Sequence, residues 1–254
     1  MAKLLEIHIF MPATRFLLVM VIVHLAAVTA RGDLIFVSGT RTVSTSTIFS
    51  NNNSSTAPGD YDQTVSSQGN FGIGTATENA SHQSSVPVSG PQFDGNGLIS
   101  SIVVLNSGGS TIGGSSGASL DIVFNVDQSG SYQLDATATW TGTVLSNGGT
   151  AFNFSFVELS DSSGNLFRAS RDVSQQGSDI QSGTVDLFSG QNYRIRAFTR
   201  IGGGFSNPGT FTANGSWNFS ISQSNSVPEP SFNWAGILFI ASLVRSRKNK
   251  PKSN

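Results

Sequence analysis

From residue 117 onward the chain alternates apolar and polar side chains with a period of two. Nowhere in the body do apolar residues recur at the roughly 3.6-residue period of a helix. In SLDIVFNVD, Leu120, Ile122, Phe124 and Val126 share one face, and in SYQLDATATW so do Tyr132, Leu134, Ala136, Ala138 and Trp140. The turn at residues 128–130 joins these runs and predicts an antiparallel hairpin with one buried face. Further on, AFNFSFVELS puts Phe152, Phe154 and Phe156 on one face. In YRIRAFTR, Tyr193, Ile195 and Ala197 point one way, leaving Arg194, Arg196 and Thr199 to solvent, and in SWNFSIS, Trp217, Phe219 and Ile221 alternate with polar residues. Turn-forming segments at 161–165 and 189–192 separate these runs. The pattern predicts an all-β fold, a single β-sandwich or jelly-roll-like domain, with two smaller sandwiches as the alternative.

Residues 51–97 carry few large apolar side chains and many Gly, Ser and Asn, which predicts a loose polar insertion in a body spanning 31–223. The preceding DLIFVSGTRTVSTSTIFS supplies one or two strands, and LISSIVVLN at 98–106 a buried one. A body of about 190 residues suffices for a sizeable core without cross-links. Cysteine is absent, so disulfides and thiolate metal sites are excluded.

Charge is distributed unevenly. All four lysines (Lys3, Lys248, Lys250, Lys252) lie near the ends, and residues 31–226 hold seven Arg against thirteen Asp plus Glu. The body is therefore mildly acidic. Nucleic acid is disfavoured as a partner, because neutralising phosphates needs clustered Lys or Arg.

Residues able to carry chemistry are sparse. The body's single histidine, His82, falls in the polar stretch, away from any G-x-S-x-G context, and reads as a solvent-exposed loop residue. One His without Cys is too few for a zinc site. Asp121, Asp127, Asp135, Glu158, Asp172, Asp179 and Asp186 are the carboxylates from which a glycosidase pair could be drawn, but most fall on polar strand faces or in turns. Asp60 with Asp62, and Asp161 with Asn165, offer oxygen ligands without the spacing of a calcium loop. The expectation is a non-enzymatic chain with no catalytic residue, metal or cofactor. The sequons at Asn79, Asn153 and Asn214 follow from an Asn- and Ser-rich composition. Among aromatics that could stack on sugar, Trp140, Tyr132 and Trp217 fall on inward faces, which leaves Tyr61, in the loop-like stretch, as the glycan contact to test first.

Both ends read as processing segments. FLLVMVIVHLAAVTA, residues 16–30, follows Arg15 and ends with Val28 and Ala30, small residues three and one before a cut ahead of Arg31. A charged flank, a short apolar core and a small-residue site describe a secretory signal peptide at 1–30, with translation starting at Met1 or Met11. A permanent helix is the other reading, although the run is shorter than the roughly 20 residues of a span. At the other end Phe232 opens FNWAGILFIASLV, an apolar run over 232–244. Trp234 suits one membrane interface, and Arg245, Arg247 and Lys248 suit the other.

Val227, Pro228, Glu229 and Pro230 stand directly before that run, which the basic cluster closes. This tail, 224–254, resembles the PEP-CTERM sorting signal of Gram-negative bacteria, in which a Val-Pro-Glu-Pro motif precedes a hydrophobic helix and a basic end. The resemblance covers about 28 residues. It implies an exosortase-type transpeptidase as partner, passage across the inner membrane with transient anchoring by a transmembrane helix, and placement at the cell surface or beyond. It also implies association with exopolysaccharide and biofilm. The prolines fit, since they block helix propagation and keep the peptide extended. The expected function is an exported surface or extracellular-matrix protein of non-enzymatic type. The alternatives are a secreted glycan hydrolase working through carboxylates and a surface protein permanently anchored by an uncut tail.

Overall fold

A computed structural model describes residues 32–108, 110–143 and 153–224. The signal segment with Val28 and Ala30, and the tail with Val227, Pro228, Glu229, Pro230, Trp234, Arg245, Arg247 and Lys248, lie outside the described residues, as does Phe152.

The described body is all strand and turn. In chain order the strands are β1 (Leu34–Ser46), β2 (Ser50–Ser55), β3 (Gly59–Asn70), β4 (Gly74–Val86), β5 (Ser89–Gly90), β6 (Gln92–Leu105), β7 (Ile112–Val126), β8 (Gly130–Gly142), β9 (Phe154–Asp161), β10 (Gly164–Asp172), β11 (Gly177–Leu187), β12 (Tyr193–Phe205) and β13 (Gly209–Gln223). They form two antiparallel sheets. The first runs β10-β9-β12-β7-β1-β2 with β5 beside β1, and the second runs β11-β8-β13-β6-β4-β3. The sheets pack face to face as a β-sandwich, with contacts such as β4 on β7 and β12 on β13.

Inward positions follow the pleat. Leu120, Ile122, Phe124 and Val126 of β7 are buried in the same core cluster as Tyr132, Leu134, Ala136 and Ala138 of β8. These faces are as the alternation predicts, but the pairing is not. β7 belongs to the first sheet and β8 to the second, so the turn at 128–130 carries the chain across the core instead of closing a hairpin. Period two identifies a buried face, and that face serves equally well beside a neighbour or opposite one. The hairpin that does form at a predicted turn joins β9 to β10. There the Asp161 carboxylate accepts the backbone N–H groups of Ser163 (2.7 Å) and Gly164 (3.2 Å), and Gly164 adopts φ 135°.

Residues 51–97 are not a loose insertion. They supply β2 to β5 and the start of β6, and β3, β4 and β6 make half of the second sheet. Many of their inward side chains are small, among them Ala76, Ala80 and Val65, although Tyr61, Glu78, His82 and Phe93 are also buried. The small ones fill the core by lying under large residues of other strands. A Cβ on Gly97 would come 2.4 Å from Trp217 Nε1, so the missing side chain is what seats the indole. That indole N–H donates to the Ala118 carbonyl at 3.0 Å.

Two core clusters occupy the space between the same two sheets. One is centred on Phe93, Phe124, Tyr132 and Phe219, and the other on Ile99, Val103, Trp140 and Phe211. Full burial of each such side chain contributes about 1.5–3 kcal/mol. At one end of the sandwich the chain's entry and exit meet: Gly32 N–H donates to the Gln223 side chain, and Ser224 N–H to the Ser131 carbonyl. β1 starts at this end, pairing Leu34 with Val126, and finishes at the other, pairing Ser46 with Ser115.

Candidate functional site

On the solvent side of the first sheet, side chains from five strands stand in rows. One row holds Ser170, Phe156, Phe198, Ser119 and Thr42, from β10, β9, β12, β7 and β1. Beside it run Asp172, Phe154, Arg200, Gly117 and Ser44, and on the other side Arg168, Glu158, Arg196, Asp121 and Thr40.

Phe154, Phe156 and Phe198 therefore face outward, half-buried. Ser155, Val157 and Leu159 point into the core instead. The inward Ser155 is satisfied by the Thr199 hydroxyl at 2.7 Å, and Thr199, predicted to face solvent, is likewise buried. The three rings lie close to parallel. Phe154 and Phe156 are 6.2 Å apart at 7°, Phe154 and Phe198 5.2 Å apart at 21°, and Phe156 and Phe198 6.0 Å apart at 26°. The Arg168 and Arg196 guanidinium groups sit 5.6 and 5.8 Å from the Phe156 centroid, within cation–π range.

Below these cations Glu158 is only 4% exposed, although it was expected on a solvated face. Its carboxylate accepts from Arg196 and from Asn165 (3.1 Å), and pairs with Arg168 at 3.4 Å. Asp121 takes Arg194 through Nε at 2.7 Å, and this bond holds the guanidinium above its ordinary pKa. Arg171 spans the open edge between the sheets, donating to the Ser178 carbonyl of β11 at 3.0 Å and lying 3.7 Å from Asp179. Arg200 is different: among the described residues no carboxylate lies within ion-pair distance of this exposed guanidinium.

Shallow hollows flank the rings. One of about 170 Å³ lies against Phe154, Phe156, Arg168 and Arg171. A second, of about 270 Å³, is lined by Thr42, Ser44, Ser119, Phe198 and Arg200, and a third, of about 290 Å³, by Ser46, Thr47, Gly114, Arg200 and Gly202. Such a face can stack flat rings on its aromatics and hydrogen-bond hydroxyls along its Ser and Thr row. The second sheet differs, because none of its strands contains Arg or Lys. Its outer residues include Asp60, Asp62, Asp94 and Asp135 amid Ser, Thr and Asn.

Two residues singled out in the polar stretch, Tyr61 and His82, lie inside the molecule. Tyr61, expected on an accessible loop, is on β3 with 6% exposure, and its hydroxyl donates to the Asn53 carbonyl at 3.0 Å. It cannot reach a glycan without opening the core. His82, expected in solvent, is fully buried between Tyr61 (4.9 Å) and Trp217 (5.0 Å) in edge-on contacts. Burial pushes its imidazole down to about 4. Backbone acceptors at Thr42 and Ser119 oppose that shift, yet neither ring nitrogen closes a hydrogen bond of normal geometry. Glu78, which sequence reasoning did not single out, is also fully buried and accepts from Ser101 (2.7 Å) and Ser116 (3.1 Å). Burial pushes its carboxyl up to about 7 against those two hydrogen bonds. Arg41 completes this polar seam, donating to the Gly59 carbonyl at 2.6 Å and stacking 5.4 Å from the Tyr61 ring.

The remaining acids are dispersed. Asp60 accepts from Ser85 and Asp62 from Gln83, across β3 and β4. Asp127 accepts the Asp33 N–H, Asp135 and Asp186 accept from Ser182 and Ser131, and Asp172 caps its own turn at Ser174. Among the described residues no three His, Asp or Glu side chains converge as a metal set.

No family model and no curated protein matches this sequence. Among the solved structures to which the chain is similar is one described as "Structural basis for the promiscuous specificity of the carbohydrate-binding modules from the beta-sandwich super family". Identity is 12% over 73% of this chain and 82% of that one, with a TM-score of 0.18, and no residue role is carried over from it.

Proposed function

We propose that this chain is an exported surface or extracellular-matrix protein of non-enzymatic type, and that its sandwich holds polysaccharide on the outer face of the first sheet. The observation that carries the binding reading is the near-parallel trio Phe154, Phe156 and Phe198 on the solvent side, continued across the sheet by Ser119 and Thr42. A ring π-face is negative, so it attracts the polarised C–H groups on one side of a sugar ring. Neighbouring strands about 4.8 Å apart then present hydroxyls at intervals close to one sugar unit.

Export rests on the apolar segment ending at Val28 and Ala30 and on the Val227-Pro228-Glu229-Pro230 tail. In this reading an exosortase-type transpeptidase receives the tail at the inner membrane and releases the body to the surface.

The binding part is tested by retention of the full chain on immobilised exopolysaccharide from the producing cells. Phe156→Ala and Phe198→Ala are each expected to weaken retention about 10-fold, the worth of one lost aromatic stack of about 1.4 kcal/mol. Their melting should stay cooperative, because both rings lie outside the core. Failure of the unmodified chain to bind any polysaccharide offered would remove this reading.

A further inference from the structure

We infer that the outer face of the first sheet selects an anionic polysaccharide, and that Arg200 is the residue that binds its acidic group. This rests on the glycan-binding reading above and names the class of glycan.

Charge on the described body is segregated. Its exposed arginines, Arg168, Arg194, Arg196 and Arg200, all stand on the solvent side of β10 and β12. The first three are engaged by Glu158 or Asp121. Arg200 has no such partner among the described residues, and it lines both the 270 Å³ and the 290 Å³ hollows. No Asp or Glu lines either one. Their floor is Ser, Thr and Gly, so nothing there competes for the guanidinium. Directly across from Arg200, Phe154 stands on β9 and Gly117 on β7. The cation thus sits between a ring that can hold a sugar face and a gap in which a charged substituent fits. Guanidinium groups bind carboxylate and sulfate through paired N–H donors. In a body that is acidic overall, an unpaired cation beside an aromatic platform matches a uronate or sulfated chain better than a neutral one.

The test is affinity electrophoresis of the full chain through gels containing polygalacturonate, dextran sulfate or neutral dextran. The expected result is retardation by at least one acidic polymer about 10-fold stronger than by dextran, weakening as salt rises. The polygalacturonate and dextran sulfate gels distinguish carboxylate from sulfate. Arg200→Gln should bring the acidic polymers down to the dextran level, and Arg200→Lys should restore part of the difference. Gly117→Asp should act like Arg200→Gln by setting a carboxylate opposite the guanidinium. Its new Cβ would meet nothing nearer than Ser44 Oγ at 3.4 Å, so the fold tolerates it. Equal retardation by dextran and the acidic polymers, or an Arg200→Gln variant that still prefers the acidic ones, would overturn the inference and leave the glycan-binding reading intact. Retardation by none of the three would overturn the inference together with that reading. Stronger retardation by a single-stranded oligonucleotide would assign the face to nucleic acid instead.

Discussion

Glu78 and His82 sit four residues apart on β4, both facing the core and both fully buried. Burial works on them in opposite directions, because the acid is neutral when protonated and the imidazole when not. Glu78 rises from 4.5 to about 7, so its contribution to stability is complete below 4.5 and is lost as pH rises through 7. His82 falls from 6.5 to about 4, so its contribution is complete above 6.5 and is lost as pH falls through 4. Between 4.5 and 6.5 folded and unfolded chains bind the same number of protons at these two sites, and the effects cancel. Glu78→Gln removes one side of the balance. Its unfolding free energy should climb by about 3 kcal/mol from pH 4.5 to 6.5, while the unmodified chain stays nearly flat over that window. Denaturant titrations at stepped pH would show this, and parallel curves for the two proteins would refute it. Little of the pair was legible in the sequence. His82 sits in a stretch poor in large apolar residues, and period two with Ala, Ser and Gly on the inward face gives almost no hydrophobic signal.

Strand by strand, the alternation identified inward faces well wherever the inward residues were large, as on β7, β8 and β13. It left the inward face of β9 undecided because two interleaved sets compete there: Phe154 with Phe156, and Val157 with Leu159. The parity of Glu158 held the answer, since an acid on the Phe side favours that side as the outward one. The inward phase of β9 gives a direct prediction. Val157→Asp buries an unpaired charge and should cost more than 3 kcal/mol, enough to abolish cooperative melting of a marginally stable body. Phe156→Asp should lower the melting midpoint by only a few degrees. Circular dichroism melts of both variants decide it, and equal losses would mean the phase is wrong. Lateral pairing was not legible either. The order β10-β9-β12-β7-β1-β2 depends on partners distant in sequence, and no local pattern encodes which inward face lies beside which.

For the molecule as a whole, composition correctly excluded thiol chemistry and announced an acidic body, but it could not show that the exposed arginines gather on one sheet. That segregation arises because β10 and β12, far apart in sequence, are both neighbours of β9. The export reading also makes a prediction at this scale. The mature protein should begin at Arg31 and end close to Pro230, so its intact mass should lack residues 1–30 and the apolar run at 232–244. A mass that retains the run would support permanent anchoring instead.

The junction of Gly32 with Gln223 gives the body a handle and a tip. Arg200 and the glycine-floored hollow beside Ser46 lie toward the opposite pole, along strands of about 40 Å. The two poles of the body are thus chemically unlike: one ties the first described residues to the last, and the other presents a cation over a floor of small side chains.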